Sequence, residues 1–385
     1  MTESKVKSKV KSTEVAIVGA GIVGLAHALA LAKRGLQVTV FDRHPYAVGA
    51  SIRNFGMIWP IGQPEGNLYQ RAMRSRQIWL EVAAPAGIHL AQTGSLHLAR
   101  FPDEAAVLEE FYATTGKENY GAQILNPEQA RDKSRAVVME GLLAALWSST
   151  EMIVDPREAI RLLPGFLAAQ YGVSFHFGTV VTEIAAPYLV ARGEQWRAEQ
   201  ILVCSGADFE TLYPQVFAVS GITKVKLQML RTVTQPDGWQ LGASLCGGLT
   251  LTHYGAFAHC PSLTALRDRI QAETPHFPQW GIHVMVAQNF LGELIIGDSH
   301  EYGLNPEPFD REDINQYILD YLKTLGNFPS WEVGDRWHGI YAKIPGQTEF
   351  IQQPESGVTI VNALSGAGMT LSFGVAEEVV EKYFN

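Results

Sequence analysis

The feature that most constrains the fold of this chain is a set of glycines between two apolar runs near its start. Residues 15–18 and 37–41 are rich in apolar and β-branched side chains, which predicts buried parallel strands. Between them, an Ala/Leu-rich stretch over residues 22–34 predicts a helix. The glycines stand in G-x-G-x-x-G spacing and a carboxylate follows the second strand; these residues are Gly19, Gly21, Gly24 and Asp42. This order within about 30 residues predicts a dinucleotide-binding βαβ unit rather than a turn that serves packing alone.

Each glycine in this unit has a physical role. Gly19 makes the tight turn, Gly21 lets the backbone approach a pyrophosphate, and Gly24 lets the helix pack closely on the strand. The start of the helix presents free N–H groups and a partial positive charge to the phosphates, and the carboxylate is placed to accept hydrogen bonds from ribose hydroxyls. The cofactor-binding residues predicted here, besides the three glycines, are Ile22, Val23, Asp42 and Arg43.

Length and charge limit the classes of function. A chain of 385 residues fits about two domains. The 46% hydrophobic and 18% charged residues are typical of a soluble globular protein. The net charge of −9 argues against general nucleic-acid binding, which needs a basic surface, so no nucleic-acid partner is predicted. No run of about 18 apolar, uncharged residues occurs, so we predict no membrane insertion.

The cysteines and histidines give no sign of a structural metal or a disulfide framework. Three cysteines, with no C-x-x-C pair, fit a reducing compartment, and we predict a cytoplasmic location. The 11 histidines contain no H-x-x-x-H pattern, so no metal site is predicted.

Residues 1–12 are polar and Lys-rich and lack an apolar signal-peptide core, which predicts a disordered lead-in.

The rest of the chain shows alternating strand and helix patterns, followed by a region in which strand patterns predominate. Helices are predicted over residues 68–84, 103–115, 127–132, 155–171, 310–325 and 371–383. Strands are predicted over residues 94–99, 173–177, 179–184, 200–207, 224–233, 249–254, 282–288, 293–296, 331–341 and 358–363. Residues 223–297 contain mostly strands of mixed pattern, which predicts a largely antiparallel sheet in a second domain.

Three further segments carry a resemblance to a known family. They are residues 49–58 (GASIRNFGMI), 202–207 (LVCSGA) and 357–372 (GVTIVNALSGAGMTLS). Together with the glycine unit, these segments resemble the glycine oxidase/sarcosine oxidase group of the D-amino-acid-oxidase-like flavoproteins, over nearly the whole chain. The resemblance implies that FAD is the cofactor and that the last segment meets the flavin's O2 edge with backbone amides. The residues so implied are Ser51, Arg53, Asn54, Phe55, Gly56, Met57, Val180, Cys204, Ser205, Gly206, Gly339, Ile340, Gly366, Ala367, Gly368, Met369 and Thr370.

The fold expected from these observations is α/β. A Rossmann-like FAD-binding domain with a parallel sheet would carry an inserted substrate domain of mixed, largely antiparallel sheet plus helices. We place the FAD-binding domain at residues 13–84, 151–215 and 335–385, and the substrate domain at residues 85–150 and 216–334. The resemblance also implies FAD-dependent oxidation of a primary or secondary amine. Hydride leaves the carbon next to nitrogen, water hydrolyses the imine, and O2 reoxidises the flavin to give hydrogen peroxide.

The sequence departs from the family where relatives hold their substrates. No cysteine stands shortly before the last strands, so FAD is expected to bind non-covalently. Tyr341 stands where glycine and D-amino-acid oxidases offer an arginine to the substrate carboxylate, and Thr370 stands where sarcosine oxidases have a lysine. Ile295 lies near the position of their oxygen-activating lysine. We therefore hypothesise an amine that bears a phosphonate or another non-carboxylate anion, as in a branch of the family associated with phosphonate catabolism. The candidate substrate residues are Arg231, His253, Tyr254, Tyr341 and Lys343.

Two other functions remain open at this point. One is a flavin dehydrogenase of a 2-hydroxy acid or polyol phosphate that passes electrons to a quinone or another acceptor. The other is a flavoprotein subunit without catalytic activity. The predicted partners are a small amine and O2 or another electron acceptor, and assembly into a homo-oligomer is left open.

Overall fold

The structure is a computed structural model that describes residues 10–384. The strands, in chain order, are β1 (Lys11–Val18), β2 (Val38–Phe41), β3 (Met57–Ile58), β4 (Leu90–Ala91), β5 (Ser95–Ala99), β6 (Gln123–Leu125), β7 (Ala144–Ser148), β8 (Met152–Val154), β9 (Ser174–His176), β10 (Val181–Ala185), β11 (Tyr188–Ala191), β12 (Glu194–Val203), β13 (Thr223–Thr234), β14 (Ser244–Gly247), β15 (Met285–Gln288), β16 (Glu293–Gly297), β17 (Glu301–Gly303), β18 (Val333–Lys343), β19 (Phe350–Glu355) and β20 (Val358–Asn362).

The helices pack on these strands from several sides. In chain order they are α1 (Ile22–Lys33), α2 (Asn67–Ala83), α3 (Pro102–Phe111), α4 (Lys117–Tyr120), α5 (Pro127–Lys133), α6 (Pro156–Tyr171), α7 (Pro214–Ser220), α8 (Gly248–His253), α9 (Leu263–Glu273), α10 (His276–Gln279), α11 (Glu312–Leu325) and α12 (Gly368–Tyr383). No helix within residues 10–384 has the length and apolar character needed to cross a bilayer.

The first sheet has a parallel centre built from distant parts of the chain. β1 pairs in parallel with β2 on one side and with β12 on the other, and β20 pairs in parallel with β12. Val15 and Ile17 of β1 pack into the apolar cluster that contains α1 and α12, whereas Ala16 packs into the cluster on the opposite side. A strand buried on both faces reads as an uninterrupted apolar run, and this is the pattern that predicted β1.

The second sheet is mixed and has nine strands. β13, β16, β15 and β14 pair antiparallel, β14 joins β5 in parallel, and β5, β7 and β6 continue antiparallel. β18 lies antiparallel along nearly the whole of β13. The mixed α/β fold with parallel and antiparallel sheets confirms the predicted fold class.

The cap predicted for α6 is present. The Asp155 side chain accepts a hydrogen bond of 2.9 Å from the backbone N–H of Arg157, and Pro156 is the first helical residue. Gly172 ends the helix at φ +70°, a left-handed conformation that glycine adopts without steric cost.

Among the boundaries that differ from the sequence predictions, three change the assignment of a segment. Residues 249–254, predicted as a strand, lie mostly in α8, because a short apolar run does not distinguish a strand from a buried helix. Residues 335–343, assigned to the FAD-binding domain, belong to β18 of the second sheet, since that strand pairs with β13. Lys11 and Ser12, placed in the disordered lead-in, belong to β1 and pair with β12, whereas residues 1–9 of that prediction lie outside the described residues.

A buried lysine on β13 offers a test of the second sheet. The Lys226 side chain is 0% exposed, and its Nζ donates to the Phe309 carbonyl at 2.5 Å and lies 3.1 Å from Asp310 Oδ1. We expect Lys226→Met to lower the free energy of unfolding by about 2 kcal/mol, because the partly exposed Asp310 carboxylate would lose its counter-charge. Chemical denaturation of the FAD-loaded protein measures this change.

The control for this prediction is Lys323→Met. Lys323 pairs with Asp320 on the surface of α11, and we expect a change below about 0.5 kcal/mol for this exposed pair. Equal unfolding midpoints for the two variants would contradict the structural role given to Lys226.

Candidate active site

A cavity of about 620 Å³ opens where the carboxyl ends of the parallel strands meet the second sheet. Val18, Phe41, Cys204 and Asn362, at the ends of β1, β2, β12 and β20, all line it. In open parallel sheets this edge is where ligands bind. The remaining walls come from the loop after β2, from the second sheet and from the segment that leads into α12.

The glycine turn leaves bare backbone at one end of the cavity. Gly19 has φ +106°, and a Cβ there would lie 2.3 Å from the Cys204 carbonyl oxygen. A Cβ on Gly24 would lie 1.9 Å from the Gly19 carbonyl oxygen, and one on Gly21 would lie 2.9 Å from Ser51 Oγ. Turn, strand and helix therefore meet too closely for any larger side chain.

Two side chains hold this turn and the start of α1. Ser51 Oγ accepts a hydrogen bond of 2.9 Å from the Ile22 N–H. Asp42 Oδ2 accepts one of 2.8 Å from the Ala20 N–H, and its Oδ1 accepts one of 2.9 Å from the His44 N–H. Asp42 thus braces the turn as well as lining the cavity.

The loop after β2 is tied down along the cavity wall. Asn54 Nδ2 donates to the carbonyls of Ala50 and Ser51 at 2.9 and 3.1 Å, and Asn54 Oδ1 accepts from the Gly56 N–H at 2.8 Å. Arg53 Nη1 donates to the His338 carbonyl at 3.2 Å, which fixes the loop to β18.

The C-terminal segment closes the opposite wall. Residues 362–370 line the cavity, and Ser365 is in the left-handed region at φ +54°. Thr370 Oγ1 accepts a hydrogen bond of 2.9 Å from the Trp59 N–H, and the Met369 carbonyl accepts one of 2.9 Å from Trp79 Nε1. These contacts leave the first backbone amides of α12 at the cavity, where a helix has free N–H groups and a partial positive charge. A bridge between Lys343 and Leu364 joins this segment to β18.

These residues fit a flavin dinucleotide. The bare turn and the start of α1 suit the pyrophosphate, because glycine backbone and free amides are what a phosphate needs at close range. The start of α12, at the other end of the chain, suits a carbonyl edge that gains negative charge on reduction.

Histidines and a lysine collect on the second sheet's side of the cavity. His253, at the end of α8, is open to the cavity, whereas His283 and His300 are buried. The ring of His283 stacks on that of His253 with 3.8 Å between centroids, and the ring of His300 lies 4.8 Å from that of His253. Lys343, at the end of β18, lines the same space, and its Nζ lies 3.3 Å from the Tyr302 hydroxyl. We call His253, His283, His300 and Lys343 the basic cluster.

The imidazoles of the basic cluster are neutral at pH 7. Desolvation is the largest cause that lowers their pKa values, at His253 within the cavity as well as at the two buried rings, and the Lys343 ammonium lowers them further. The pKa of His300 falls to about 4 even though its Nδ1 lies 2.9 Å from the Gly281 carbonyl. Each neutral ring has one N–H, which His300 donates to the Gly281 carbonyl, and the Lys343 ammonium is the positive charge of the cluster.

A carboxyl group and two phenols complete the lining near the basic cluster. Asp298 is buried, and its Oδ1 lies 3.1 Å from His283 Nε2. Tyr254 and Tyr341 line the cavity nearby, and burial raises both phenol pKa values well above their usual range. Both hydroxyls are therefore protonated at neutral pH and can donate hydrogen bonds.

The comparison with protein families agrees with this geometry. Residues 14–382 match the family described as DAO, FAD dependent oxidoreductase. The chain belongs to this family. FAD is accordingly its cofactor, and the residues of the two cavity ends described above are those that would hold it.

Glycine oxidases are among the proteins to which this chain is similar. The glycine oxidase of Geobacillus kaustophilus is 26% identical over 206 residues, which cover 50% of this chain and 54% of that protein. The chain thus spans about half the length of this curated relative. The crystal structure of a glycine oxidase from the same organism has a TM-score of 0.77 at 20% identity and covers 97% of this chain and 95% of that one.

Two further solved structures share the fold. L-proline dehydrogenase from P. horikoshii has a TM-score of 0.76 at 20% identity, with 97% of this chain and 94% of that chain covered. The L-α-glycerophosphate oxidase of Mycoplasma pneumoniae, solved with FAD bound, has a TM-score of 0.73 at 17% identity, with 98% and 96% covered. At these identities the likeness concerns the fold of the DAO family alone.

Most of the predicted cofactor residues line the cavity. These are Gly19, Gly21, Ile22, Val23, Asp42, Arg43, Ser51, Arg53, Asn54, Phe55, Met57, Cys204, Ser205, Gly206, Gly339, Ile340, Gly366, Ala367, Gly368, Met369 and Thr370. Gly24, Gly56 and Val180 lie behind the lining: the two glycines are packed against backbone, and the carbonyl of Val180 accepts from the Arg192 N–H at 2.9 Å. Arg43 is paired with Asp208, so one cavity cation is already neutralised.

The predicted substrate residues divide into two groups. His253, Tyr254, Tyr341 and Lys343 line the cavity together. Arg231 does not: it lies two residues beyond Met229 on β13, and its guanidinium is paired with Asp335 and, at 3.1 Å, with Glu293. The expectation that Arg231 binds the substrate anion is therefore corrected, because its charge serves an ion-pair network outside the lining.

Three residues of the site were missed from the sequence. His283 and His300 flank β15 and β16, and Asp298 follows β16, so pairing of these two strands brings all three together. The nitrogens of His253, His283 and His300 lie within 4.8 Å of one another, which is close enough for a cation. The Lys343 ammonium beside them disfavours a metal ion and favours an anion instead.

The close packing at the glycine turn gives a testable prediction. Gly24→Ala would place a Cβ against the Gly19 carbonyl oxygen, where backbone on both sides prevents relief. We expect a destabilisation of about 1–3 kcal/mol, the usual range for overpacking, together with reduced FAD content. Flavin absorbance per protein and the melting temperature measure the two effects.

The matched control is Gly165→Ala. Gly165 is exposed within α6, and a Cβ there meets nothing within 4 Å. Because alanine favours a helix over glycine by up to about 1 kcal/mol, this variant should keep its FAD and be equally or more stable. Full FAD content in Gly24→Ala would contradict the role given to that glycine.

Proposed function

We propose that this protein uses FAD to oxidise a primary or secondary amine that carries a phosphonate group. Bound FAD would supply the two-electron acceptor for a hydride from the carbon beside nitrogen. The imine that remains would be hydrolysed by water, and O2 would serve as the final electron acceptor. Membership of the DAO family supports the amine chemistry, as do the names of its relatives, a glycine oxidase and an L-proline dehydrogenase.

The observation that supports a phosphonate group on the substrate is the basic cluster. The Lys343 ammonium and the cavity-facing His253 imidazole can donate to different oxygens of an anion there, whereas His300 donates to the Gly281 carbonyl and His283 lies against Asp298. A phosphonate has three oxygens and up to two negative charges, so it can use several donors at once, whereas a carboxylate has two oxygens and one charge. An anion between these rings would also draw protons onto them, which strengthens each hydrogen bond.

The other cavity cations support the same assignment. Arg43 is paired with Asp208, and Arg53 is held by the His338 carbonyl. Lys343 has no carboxylate within ion-pairing distance among residues 10–384. An anionic substrate group would therefore be drawn to Lys343, beside the histidines, and not to an arginine of the kind that binds an α-carboxylate bidentately.

A second candidate is oxidation of an alcohol that carries a phosphate. Its support is the fold shared with an L-α-glycerophosphate oxidase, since the basic cluster suits a phosphate as well as a phosphonate. The alcohol has no ammonium group that could pair with the buried Asp298, whereas the amine has one. This difference makes the amine the better candidate.

Anaerobic flavin reduction tests the proposal. We expect N-methyl-2-aminoethylphosphonate to bleach the flavin faster than sarcosine, glycine or glycerol 3-phosphate, because it alone supplies both an amine and a phosphonate. Hydrogen peroxide on readmission of air would identify O2 as acceptor. Fastest reduction by sarcosine or glycine would overturn the proposal that the substrate carries a phosphonate. Fastest reduction by glycerol 3-phosphate would favour oxidation of an alcohol that carries a phosphate. A flavin that none of them reduces would indicate a non-catalytic subunit.

The charge of Lys343 gives the second test. We expect Lys343→Met to weaken binding of the phosphonate amine about tenfold to a hundredfold, because a charged hydrogen bond to the anion is lost. Flavin content should stay unchanged. Titration of the flavin spectrum under anaerobic conditions gives the dissociation constant.

The matched control removes a lysine from the neighbouring strand. Lys224 lies on β13 opposite Ala342, but its Nζ is paired with Glu210 at 2.9 Å and it does not line the cavity. Lys224→Met should bind the substrate like the unmodified protein. Equal loss of affinity in both variants would point to long-range charge rather than to contact with Lys343.

A further inference from the structure

One carboxyl group at the cavity has no adequate partner. Asp298 is 5% exposed and lines the cavity, and its Oδ1 has no properly directed hydrogen bond. His283 Nε2 lies 3.1 Å from that oxygen, and His283 Nδ1 is likewise buried without a hydrogen bond. A buried polar group without a partner is costly, so such a pair on a cavity wall suggests a ligand that completes it.

The missing partner has to be a cation or a strong donor. Lys343 is the charged group of the basic cluster, yet it does not lie within ion-pairing distance of Asp298. The groups that face the Asp298–His283 pair are His253 from α8, the Tyr254 that follows it, His300 after β16, and Tyr341 and Lys343 from β18. The cavity therefore offers positive charge to an anion and, on Asp298, one acceptor for a positively charged group.

We propose that Asp298, with His283 beside it, binds the charged nitrogen of the amine substrate and accepts a proton from it before the neighbouring carbon is oxidised. This rests on the proposed function and adds to it the second binding group of the substrate. Lys343 would then bind the anionic group of the substrate, and Asp298 would bind its amine.

The proton transfer balances without a further reactant. The ammonium N–H bond breaks, its electron pair stays on nitrogen as the lone pair, and the proton forms an O–H bond with the Asp298 carboxylate. The lone pair then allows hydride to leave the carbon, since the electrons form the C=N bond of the iminium product. Burial raises the pKa of Asp298 well above its usual range, so the carboxyl retains a transferred proton, and the charge of the arriving ammonium favours the ionised form that accepts it.

A pair of matched ligands tests the binding role. We expect the FAD-loaded protein to bind 2-(trimethylammonio)ethylphosphonate at least about tenfold more tightly than 3,3-dimethylbutylphosphonate, which has the same shape but no charge. Asp298→Asn should abolish this preference, and Asp320→Asn, on the exposed surface of α11, should keep it. Neither ligand has an N–H, so neither can be oxidised by the proposed route.

The outcomes separate the two proposals. Equal binding of both ligands by the unmodified protein overturns the role of Asp298, even where the variant fails to fold. A preference that survives Asp298→Asn overturns it as well. Failure of both ligands to bind overturns the phosphonate proposal together with this one.

The pH dependence of flavin reduction tests the proton transfer. In the unmodified protein the reduction rate at low substrate concentration should be nearly level around neutral pH. In Asp298→Asn it should be about a hundredfold lower at neutral pH and rise tenfold per pH unit toward the pKa of the amine, because only free amine can then react. A level profile in the variant would mean that Asp298 does not take the proton.

Discussion

The structure depends on the parallel pairing of β12 with both β1 and β20. This pairing places the first strand, a strand from the middle and the last strand of the chain side by side, so that their carboxyl ends open on the same cavity. The start of α1 and the start of α12 thereby line the same cavity. α12 also packs on α1, which buries the apolar sides of both helices in one cluster. A cofactor-binding site made from residues more than 300 positions apart follows from this strand order alone.

The second sheet and the segments next to it bring apolar and titratable side chains to the cavity. Leu227 and Met229 of β13 give the cavity an apolar wall, and beyond it lie the basic cluster and Asp298. Groups suited to an anion and to a cation are thus available to one small molecule in this cavity. The same wall leaves Arg231 outside, because its partners Glu293 and Asp335 hold it farther along β13.

The parts of the fold that could be predicted are those with local signals. The glycine spacing, the apolar run of β1 and the Asp-Pro start of α6 each depend on neighbours within a few residues. Residues 249–254 show where such signals end, since their apolar pattern fits either a strand or a buried helix, and tertiary packing selected α8. Two members of the basic cluster, His283 and His300, could not be predicted from the sequence for another reason. His253, His283 and His300 come together only through the pairing of β15 with β16 and their packing on α8, and nothing in the sequence near any one of them marks the others.

The bridge between Lys343 and Leu364 has a mechanical consequence. Lys343 ends the strand that carries Tyr341, and Leu364 begins the turn that leads into α12, so one pair of residues links the second sheet to the C-terminal segment of the cavity wall. A shift of the main chain at Lys343 would therefore reach the start of α12 through this pair.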